Sequence, residues 1–494
     1  MSQIKKVLIA NRGEIAVRVI HSCKELNIQT VAVYSRPDKY APHVMVADES
    51  VFVGEAASSE SYLVIDKIID AARQTGADAI HPGYGFLSEN AAFSERCKKE
   101  GIVFIGPESK AIRLMGDKTE ARKLMGAAEI PTPPGLKSEL KDLEEAARVA
   151  DEIGYPILIK AAAGGGGKGM RIVYKNEEFK SSIKAAKSEA RNAFGDDRVY
   201  IEKYLEEPRH VEFQIMADTH GNVVHVFDRE CSVQRRHQKV IEEAPCAILT
   251  PELRQEMAEC AIKAAKACDY VGAGTIEFLV DKHKNFYFLE MNTRLQVEHP
   301  VTEMISGIDL VASQILVAEG KELPYKQEDL TMNGHAFECR IYAEDPADNF
   351  LPSTGLLEKH RVPTGDGIRV DAGVEEGQKI TINYDPMISK LTVHGPNREI
   401  ARKRMLRALD EYEIAGCKTT IPFCEFTLKH PEFIEANYDT HFVQNHFKPE
   451  IMQEIQPDKE VVLAATLLKQ AHVPENTAAP VTESVSGLWW KNRK

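Results

Sequence analysis

The chain has 494 residues, 43% of them hydrophobic and 28% charged, a composition that fills about three domains and excludes a small module or a disordered or fibrous protein. Its 62 basic and 75 acidic side chains give a formal charge of −13, so the surface repels nucleic acid and anionic membranes and neither is expected as a partner, although a local basic cleft for a small anion stays open. The nine cysteines are scattered without a C-x-x-C pair and encode neither a disulfide framework nor a zinc cluster; with no secretory h-region and no long apolar run, a cytoplasmic, reducing location is expected.

Val7 to Ala10 is a short apolar run, Glu14 to Leu26 sets Ile15, Val19 and Leu26 at helical spacing, and Thr30 to Tyr34 is a second β-branched run. This βαβ pattern recurs at Ala79-Ile80 and Ile102 to Ile105, so residues 1–115 read as a Rossmann-like open parallel sheet with helices on both faces. No G-x-G-x-x-G follows the first strand, which removes the main support for a dinucleotide site. From Gly116 the pattern becomes antiparallel α+β. A helix capped by Asp142 carries Leu143, Ala146, Ala147, Ala150 and Ile153 on one face, strands follow at 157–160, 171–174, 199–205, 211–215 and 223–227, and Pro251 to Val271 is an amphipathic helix. A third, mixed α/β region of short β runs begins near residue 335 and closes with a helix over 399–412. A last helix over 458–470, capped by Asp458, precedes a linker rich in Pro, Thr, Ser and Ala.

Gly164 to Gly167, then Lys168 and Gly169, join two of these strands. Such a loop lets backbone N–H groups approach a phosphate; the alternative is a flexible hairpin tip. It is not a Walker A loop, since Lys168 is followed by Gly and the loop joins strand to strand. Lys160 and Lys118 are either point charges for phosphates or solvated lysines. A hairpin of 275–280 with 286–292, closing about His283-Lys284, sets Glu277 opposite Glu290, with Asn292 two residues further along that face. Facing carboxylates repel unless a divalent cation lies between them, and carboxylate and amide oxygens suit Mg²⁺ or Mn²⁺; exposed glutamates on an edge hairpin are the alternative. Downstream, Arg294, Gln296 and Glu298 alternate, so an extended backbone points all three one way, toward a small oxyanion whose proton is to be removed. Gln234 to Lys239 is a cationic run, which in isolation also describes a solvated face.

These residues resemble the biotin carboxylases of the ATP-grasp superfamily, from residue 4 to about 447. The likeness is carried by Ala10-Asn11-Arg12-Gly13-Glu14-Ile15-Ala16, His81 to Asn90 (HPGYGFLSEN), the Gly164 to Gly169 loop, Gln234 to Lys239, and Glu290 to Pro300 (EMNTRLQVEHP). The resemblance implies an N-terminal domain over 1–115, an ATP-grasp domain over 116–332 with a glycine-rich lid at about 133–205, a C-terminal domain over 333–447, and 448–494 as helix, linker and tail. It implies that Lys118, Lys160 and His210 contact nucleotide phosphate or ribose, that Gly165, Gly166 and Gly167 cover the phosphates, and that Glu202, Lys203 and Leu205 hold the adenine. Gln234 and His237 would lie near the ribose, and Glu277 and Glu290, with Asn292, would bind Mg²⁺ or Mn²⁺. Bicarbonate would sit between Lys239, Arg294, Gln296 and the backbone at Val297, with Glu298 as general base. Arg340 would stabilise the biotin enolate, and Tyr84 would border the biotin site.

The implied reaction is ATP-dependent carboxylation of biotin through carboxyphosphate. The chain has no Met-Lys-Met attachment motif, so the resemblance implies a separate biotin carboxyl carrier protein and a carboxyltransferase subunit, with this chain as a homodimer. The Arg340 to Pro346 wording and the tail, some 45 residues past the family's usual end, point to the subunit of an acetyl-CoA or propionyl-CoA carboxylase. A pyruvate carboxylase subunit, another ATP-grasp ligase (a purine-pathway carboxylase or a carboxylate–amine ligase) and a regulatory subunit without turnover are the alternatives. Trp489 and Trp490, the only tryptophans, are read as a docking tip for those partners or as a segment folded back on its own domain.

Overall fold

In the computed structural model, which describes residues 3–135, 143–161, 170–236 and 238–453, β1 (Lys6–Ile9) is the middle strand of a five-stranded parallel sheet. β2 (Gln29–Ser35) and β3 (Glu49–Gly54) extend it on one side, β4 (Ala79–His81) and β5 (Val103–Phe104) on the other. Val7, Leu8 and Ile9 are wholly buried, as a central parallel strand covered on both faces requires. β3 escapes the sequence reading because it is an edge strand with Glu49, Ser50 and Phe52 exposed. The side-chain amide of Asn11, beyond β1, donates to the carbonyls of Pro82 and Tyr84 at 2.8 and 2.7 Å and fixes the loop after β4.

β6 (Ile157–Ala161), β7 (Arg171–Val173) and β8 (Val199–Lys203) make a small antiparallel sheet, with β6 between the other two. Helices Leu143–Ile153 and Asn176–Phe194 back it, and Ala146, Ala150, Phe179 and Ile183 close a separate core against Ile157 and Ile159. The loop carrying Gly165, Gly166 and Gly167, as well as Asp142, His237, the 458–470 helix and the Trp489-Trp490 tip, lies outside the described residues.

The largest sheet has eight strands, all antiparallel, ordered β13-β12-β9-β10-β11-β14 and then Met387–Gly395 and Ile368–Ala372. Its labelled strands are β9 (Arg209–Ala217), β10 (Val223–Arg235), β11 (Gln238–Ala244), β12 (Gly272–Val280), β13 (Phe286–Asn292) and β14 (His335–Tyr342). Ile241 to Ala244 of β11 pair with Cys339 to Ala336 of β14, so the sheet runs unbroken across residue 332. Two expectations need correction. The strand expected over 223–227 continues to Arg235, which makes the cationic run the tip of a hairpin, with Arg236 at φ 50°. The helix from Pro251 ends at Ala267, four residues before Val271, and Asp269 beyond it takes φ 52°.

The strand period of two gives this sheet two unlike faces. Val211, Phe213, Ile215, Ile276 and Phe278 pack against Met257, Ala261 and Ala264 of the helix Pro251–Ala267. The opposite face carries His210, Glu212, Gln214, Thr275 and Glu277, all buried, and becomes the floor of the site.

Candidate active site

Glu212 faces Glu277 across the β9/β12 ladder, and Glu277 faces Glu290 across β12/β13. The second pairing follows the hairpin expected from the sequence, with a bulge between Glu277 and Phe278. Carboxylates set side by side repel, and buried ones need cations. Lys239 in β11 supplies one: its Nζ lies 2.7 Å from Glu212 Oε2, 2.9 Å from Glu277 Oε1 and 2.6 Å from Glu298 Oε1. Arg229, wholly buried, donates from Nε to Glu212 Oε1 at 2.6 Å. Burial acts against every charge here. It would lower Lys239, but Glu212, Glu277 and Glu298 hold its pKa well above the ordinary value, and it would raise Glu212, which Lys239 and Arg229 hold well below the carboxylate range. His210 is opposed by burial yet raised to about 9 by Glu277, whose Oε2 is 3.1 Å from Nε2, so it is an imidazolium at neutral pH.

Glu298 precedes the helix His299–Ser306 and is completely buried. While Oε1 is on Lys239, Oε2 accepts from Arg340 Nη2 at 2.9 Å, and Arg340 Nε donates to Glu242 Oε1 at 2.6 Å. Burial would raise the Glu298 pKa, but Lys239, followed by Arg340 and Arg229, keeps it below the usual range, so it stands ionised. The extended backbone expected over Arg294, Gln296 and Glu298 is not found. Residues 293–298 bend and turn, and Glu298 sits at φ −80°, ψ 13°. Hydrogen bonds do the gathering that alternation does not. Arg294 donates from Nη1 to Gln296 Oε1 at 2.9 Å, from Nη2 to Asn292 Oδ1 at 3.2 Å and from Nε to Glu89 Oε2 at 2.9 Å. Asn292 Nδ2 and Gln296 Nε2 reach Glu277 Oε1 at 2.9 and 3.4 Å. Arg294, Gln296, Glu298 and Lys239 thereby form one network through Glu277.

Lys160, Glu202, Lys203, Leu205, His210 and Gln234 line one cavity of about 880 Å³, together with Leu158, Leu279 and Leu289. Lys160 and Arg122 both pair with the buried Glu202. Lys203 donates from Nζ to the carbonyls of Gly154 and Tyr155 at 3.0 and 3.2 Å, and its backbone N–H goes to the Pro134 carbonyl at 2.7 Å. The Gln234 amide lies 3.1 Å from His210 Nδ1. Lys118 begins the helix Lys118–Ala127, capped by Asp117, and its Nζ is 3.6 Å from Glu290 Oε2. Glu277, Glu290 and the amide of Asn292 are an all-oxygen donor set that fits a hard divalent cation. Among the described residues, the tight triads of metal-ligating side chains are His210, Glu212, Glu277 and Glu212, Cys231, Glu298, neither of which includes Glu290. Tyr84 and Val297 meet at Lys390: its Nζ donates to the Val297 carbonyl at 2.8 Å and lies 5.9 Å from the Tyr84 ring centroid.

Three family models match consecutive parts of the chain: "Biotin carboxylase, N-terminal domain" over residues 3–112, "Carbamoyl-phosphate synthase L chain, ATP binding domain" over 117–326, and "Biotin carboxylase C-terminal domain" over 338–445. The chain belongs to the biotin carboxylase family. It is 52% identical over 492 residues to a pyruvate carboxylase subunit of Methanothermobacter thermautotrophicus, covering 99% of each chain. It is also 52% identical over 468 residues to the alpha chain of the mitochondrial methylcrotonoyl-CoA carboxylase of Dictyostelium discoideum, covering 94% of this chain and 67% of that one. Among solved structures, biotin carboxylase of Campylobacter jejuni in complex with a β,γ-ATP compound is 50% identical, with TM-score 0.88, over 90% of this chain and 99% of that one. The dimeric biotin carboxylase domain of the Hydrogenobacter thermophilus 2-oxoglutarate carboxylase, bound to MgADP, ADP and bicarbonate, is 50% identical with TM-score 0.86, over 90% and 98%.

Within this biotin carboxylase fold, sequence reasoning missed the counterions: Glu212, Arg229, Glu242 and Glu89 each bind a residue of the network above. A signal existed for Glu212. His210, Glu212 and Gln214 alternate with Val211, Phe213 and Ile215, the mark of a strand with one polar face.

Proposed function

We propose that the chain carboxylates biotin, carried on a separate carrier protein, with bicarbonate and ATP. The observation that carries this reading is the buried Glu298 carboxylate gripped by Lys239 on one oxygen and Arg340 on the other, beside Arg294 and Gln296. Bicarbonate would lie between Lys239, Arg294, Gln296 and the Val297 backbone. An anion there shares the Lys239 charge, which weakens the grip on Glu298 and strengthens it as a base for the bicarbonate proton. The terminal phosphoryl group of ATP then passes to the bicarbonate oxygen, giving carboxyphosphate and ADP, a transfer that rests on positioning and charge stabilisation. Carboxyphosphate breaks to CO₂ and phosphate, the released phosphate takes the proton of the biotin ureido nitrogen, and that nitrogen attacks CO₂ while Arg340 stabilises the enolate form, with Tyr84 bordering the ring.

ATP would occupy the 880 Å³ cavity, its phosphates met by Lys118, Lys160, His210 and Gly165 to Gly167, its ribose near Gln234 and His237, its adenine along Glu202, Lys203 and Leu205. Mg²⁺ or Mn²⁺ held by Glu277, Glu290 and Asn292 would neutralise phosphate charge when bound. On this reading the domains are 1–115, 116–332 and 333–447, with the lid at about 133–205. ADP release measured with and without bicarbonate and free biotin tests the function. A rate independent of biotin would point to another ATP-grasp ligase, and no turnover to a regulatory subunit.

For the carboxyl acceptor, the reading from the Arg340 to Pro346 wording is an acetyl-CoA or propionyl-CoA carboxylase, in which a homodimer of this chain works with a carrier protein and a carboxyltransferase subunit. A second reading, pyruvate, is favoured by one observation: the match to the Methanothermobacter pyruvate carboxylase chain runs over 99% of both sequences, so a tail of this length is no mark of an acyl-CoA enzyme. Purifying the chain with its bound partners and assaying acetyl-CoA, propionyl-CoA and pyruvate separates the two.

A further inference from the structure

Glu242 of β11 stands directly opposite Glu338 of β14, and Glu338 stands opposite Thr392 of the next strand, so the three share one face of the sheet. Both glutamates are completely buried. Each keeps one oxygen on a partner: Glu242 Oε1 accepts from Arg340 Nε at 2.6 Å, and Glu338 Oε2 accepts from the Thr392 hydroxyl at 2.9 Å. Each also has one buried oxygen with no partner, Oε2 of Glu242 and Oε1 of Glu338. Two buried carboxylates across a ladder cannot both stay ionised at little cost, and a buried acceptor left empty is costly too. One proton between the two orphan oxygens removes both problems.

We infer that Glu338 is a proton-holding positioning residue: as the acid of a Glu242–Glu338 pair it donates to Glu242, and so keeps Glu242 on Arg340 without placing a second full negative charge beside it. The inference rests on the proposed role of Arg340 in biotin carboxylation and extends it to a residue that touches no substrate. Burial pushes the Glu338 carboxyl up to about 8, with Glu242 raising it further, and the Glu242 carboxyl up to about 7. The cations facing it are Arg340 from β14, Lys239 from β11 and Lys390 from the strand Met387–Gly395. Lys390 is already engaged: it donates to the Val297 carbonyl at 2.8 Å and lies 3.6 Å from Glu14 and 3.8 Å from Asp371. Glu298, which raises Glu242, is the carboxylate that Arg340 also binds. Each of these three cations thus already answers another carboxylate or carbonyl.

With a pKa of about 8 the protonated fraction falls about tenfold between pH 7 and pH 9. The alkaline limb of kcat for biotin carboxylation is therefore expected to follow this loss. In Glu338→Gln, whose amide donates at every pH, the ratio of kcat at pH 9 to kcat at pH 7 should rise several-fold above wild type. Thr392→Val, which removes the donor to the ionised form, should move the limb to higher pH. Two readouts stand apart from the reaction itself. The infrared difference spectrum of wild type minus Glu338→Gln should show a protonated-carboxyl band at pH 7, and the thermal midpoint of Glu338→Gln should gain on wild type as pH rises from about 5 to 8, because the wild-type pair opposes losing its proton. An absent band with overlaid stability curves overturns the inference even if the enzyme carboxylates biotin. A present band in a protein without biotin-dependent turnover supports the proton pair and overturns its assigned role.

Discussion

Lys239 Nζ is 2.6 Å from Glu298 Oε1 and touches two further carboxylates, Glu212 and Glu277, on its other sides. One ammonium group thus joins the proposed proton acceptor to the proposed metal pair. Glu298→Gln keeps the shape and the hydrogen bond to Lys239 but cannot take a proton. Biotin-dependent ADP formation should fall by about 10² to 10⁴, with ATP affinity nearly unchanged, as read by steady-state rates and nucleotide titration. Turnover within a few fold of wild type would sink the assignment of Glu298 as base.

Glu277→Gln removes one anionic ligand from the proposed cation site and one of three carboxylates from Lys239. The Mg²⁺ concentration for half-maximal rate should rise, because the site then depends more on substrate phosphates. Overlaid Mg²⁺ titrations of variant and wild type would show that the Glu277/Glu290 pair is not where the metal binds.

Glu243, one residue from Glu242 and on the opposite face, is a different kind of carboxylate. His335 lies 2.7 Å from it, Arg398 donates to it at 2.7 and 3.0 Å, and Tyr438 donates as well. Burial would raise its pKa, but Arg398 and His335 hold it far below the ordinary 4.5. A depressed carboxylate stabilises the fold above its unfolded pKa and loses that contribution as pH falls toward the folded one. Glu243→Gln should therefore cost about 3 to 5 kcal/mol at pH 7, and the gap to wild type should close progressively below the unfolded value of 4.5. Chemical denaturation at several pH values checks both the size and the sign.

The polar chemistry was legible wherever it was local. The Glu277–Glu290 pairing follows from hairpin closure alone, and the parallel N-terminal strands from their apolar runs. Contacts between distant strands were not legible: nothing within reach of Lys239 in sequence announces that it meets Glu212, Glu277 and Glu298 at once, since those contacts depend on β9, β11 and β12 sharing a sheet. The alternation of Arg294, Gln296 and Glu298 does not describe the backbone, although the three side chains do share one network. A turn, set where the chain enters the helix His299–Ser306, replaces the extended backbone, and hydrogen bonds bring the three groups into one network.

Glu89 belongs to the loop that follows β4 in the N-terminal sheet, yet its carboxylate accepts from Arg294 Nε at 2.9 Å and from the backbone N–H of Thr293 at 3.1 Å. Through it, the loop after β4 orients a side chain of the proposed bicarbonate site. Its side chain is 40% exposed, so solvent screens the pair and about 1 kcal/mol is the expected worth of the interaction. Glu89→Gln should accordingly raise the bicarbonate KM roughly fivefold, with little change in the KM for ATP, because Arg294 keeps its bonds to Gln296 and Asn292 but loses the one that aims its guanidinium. A larger change in the ATP KM than in the bicarbonate KM would place Arg294 on the nucleotide and not on the small anion.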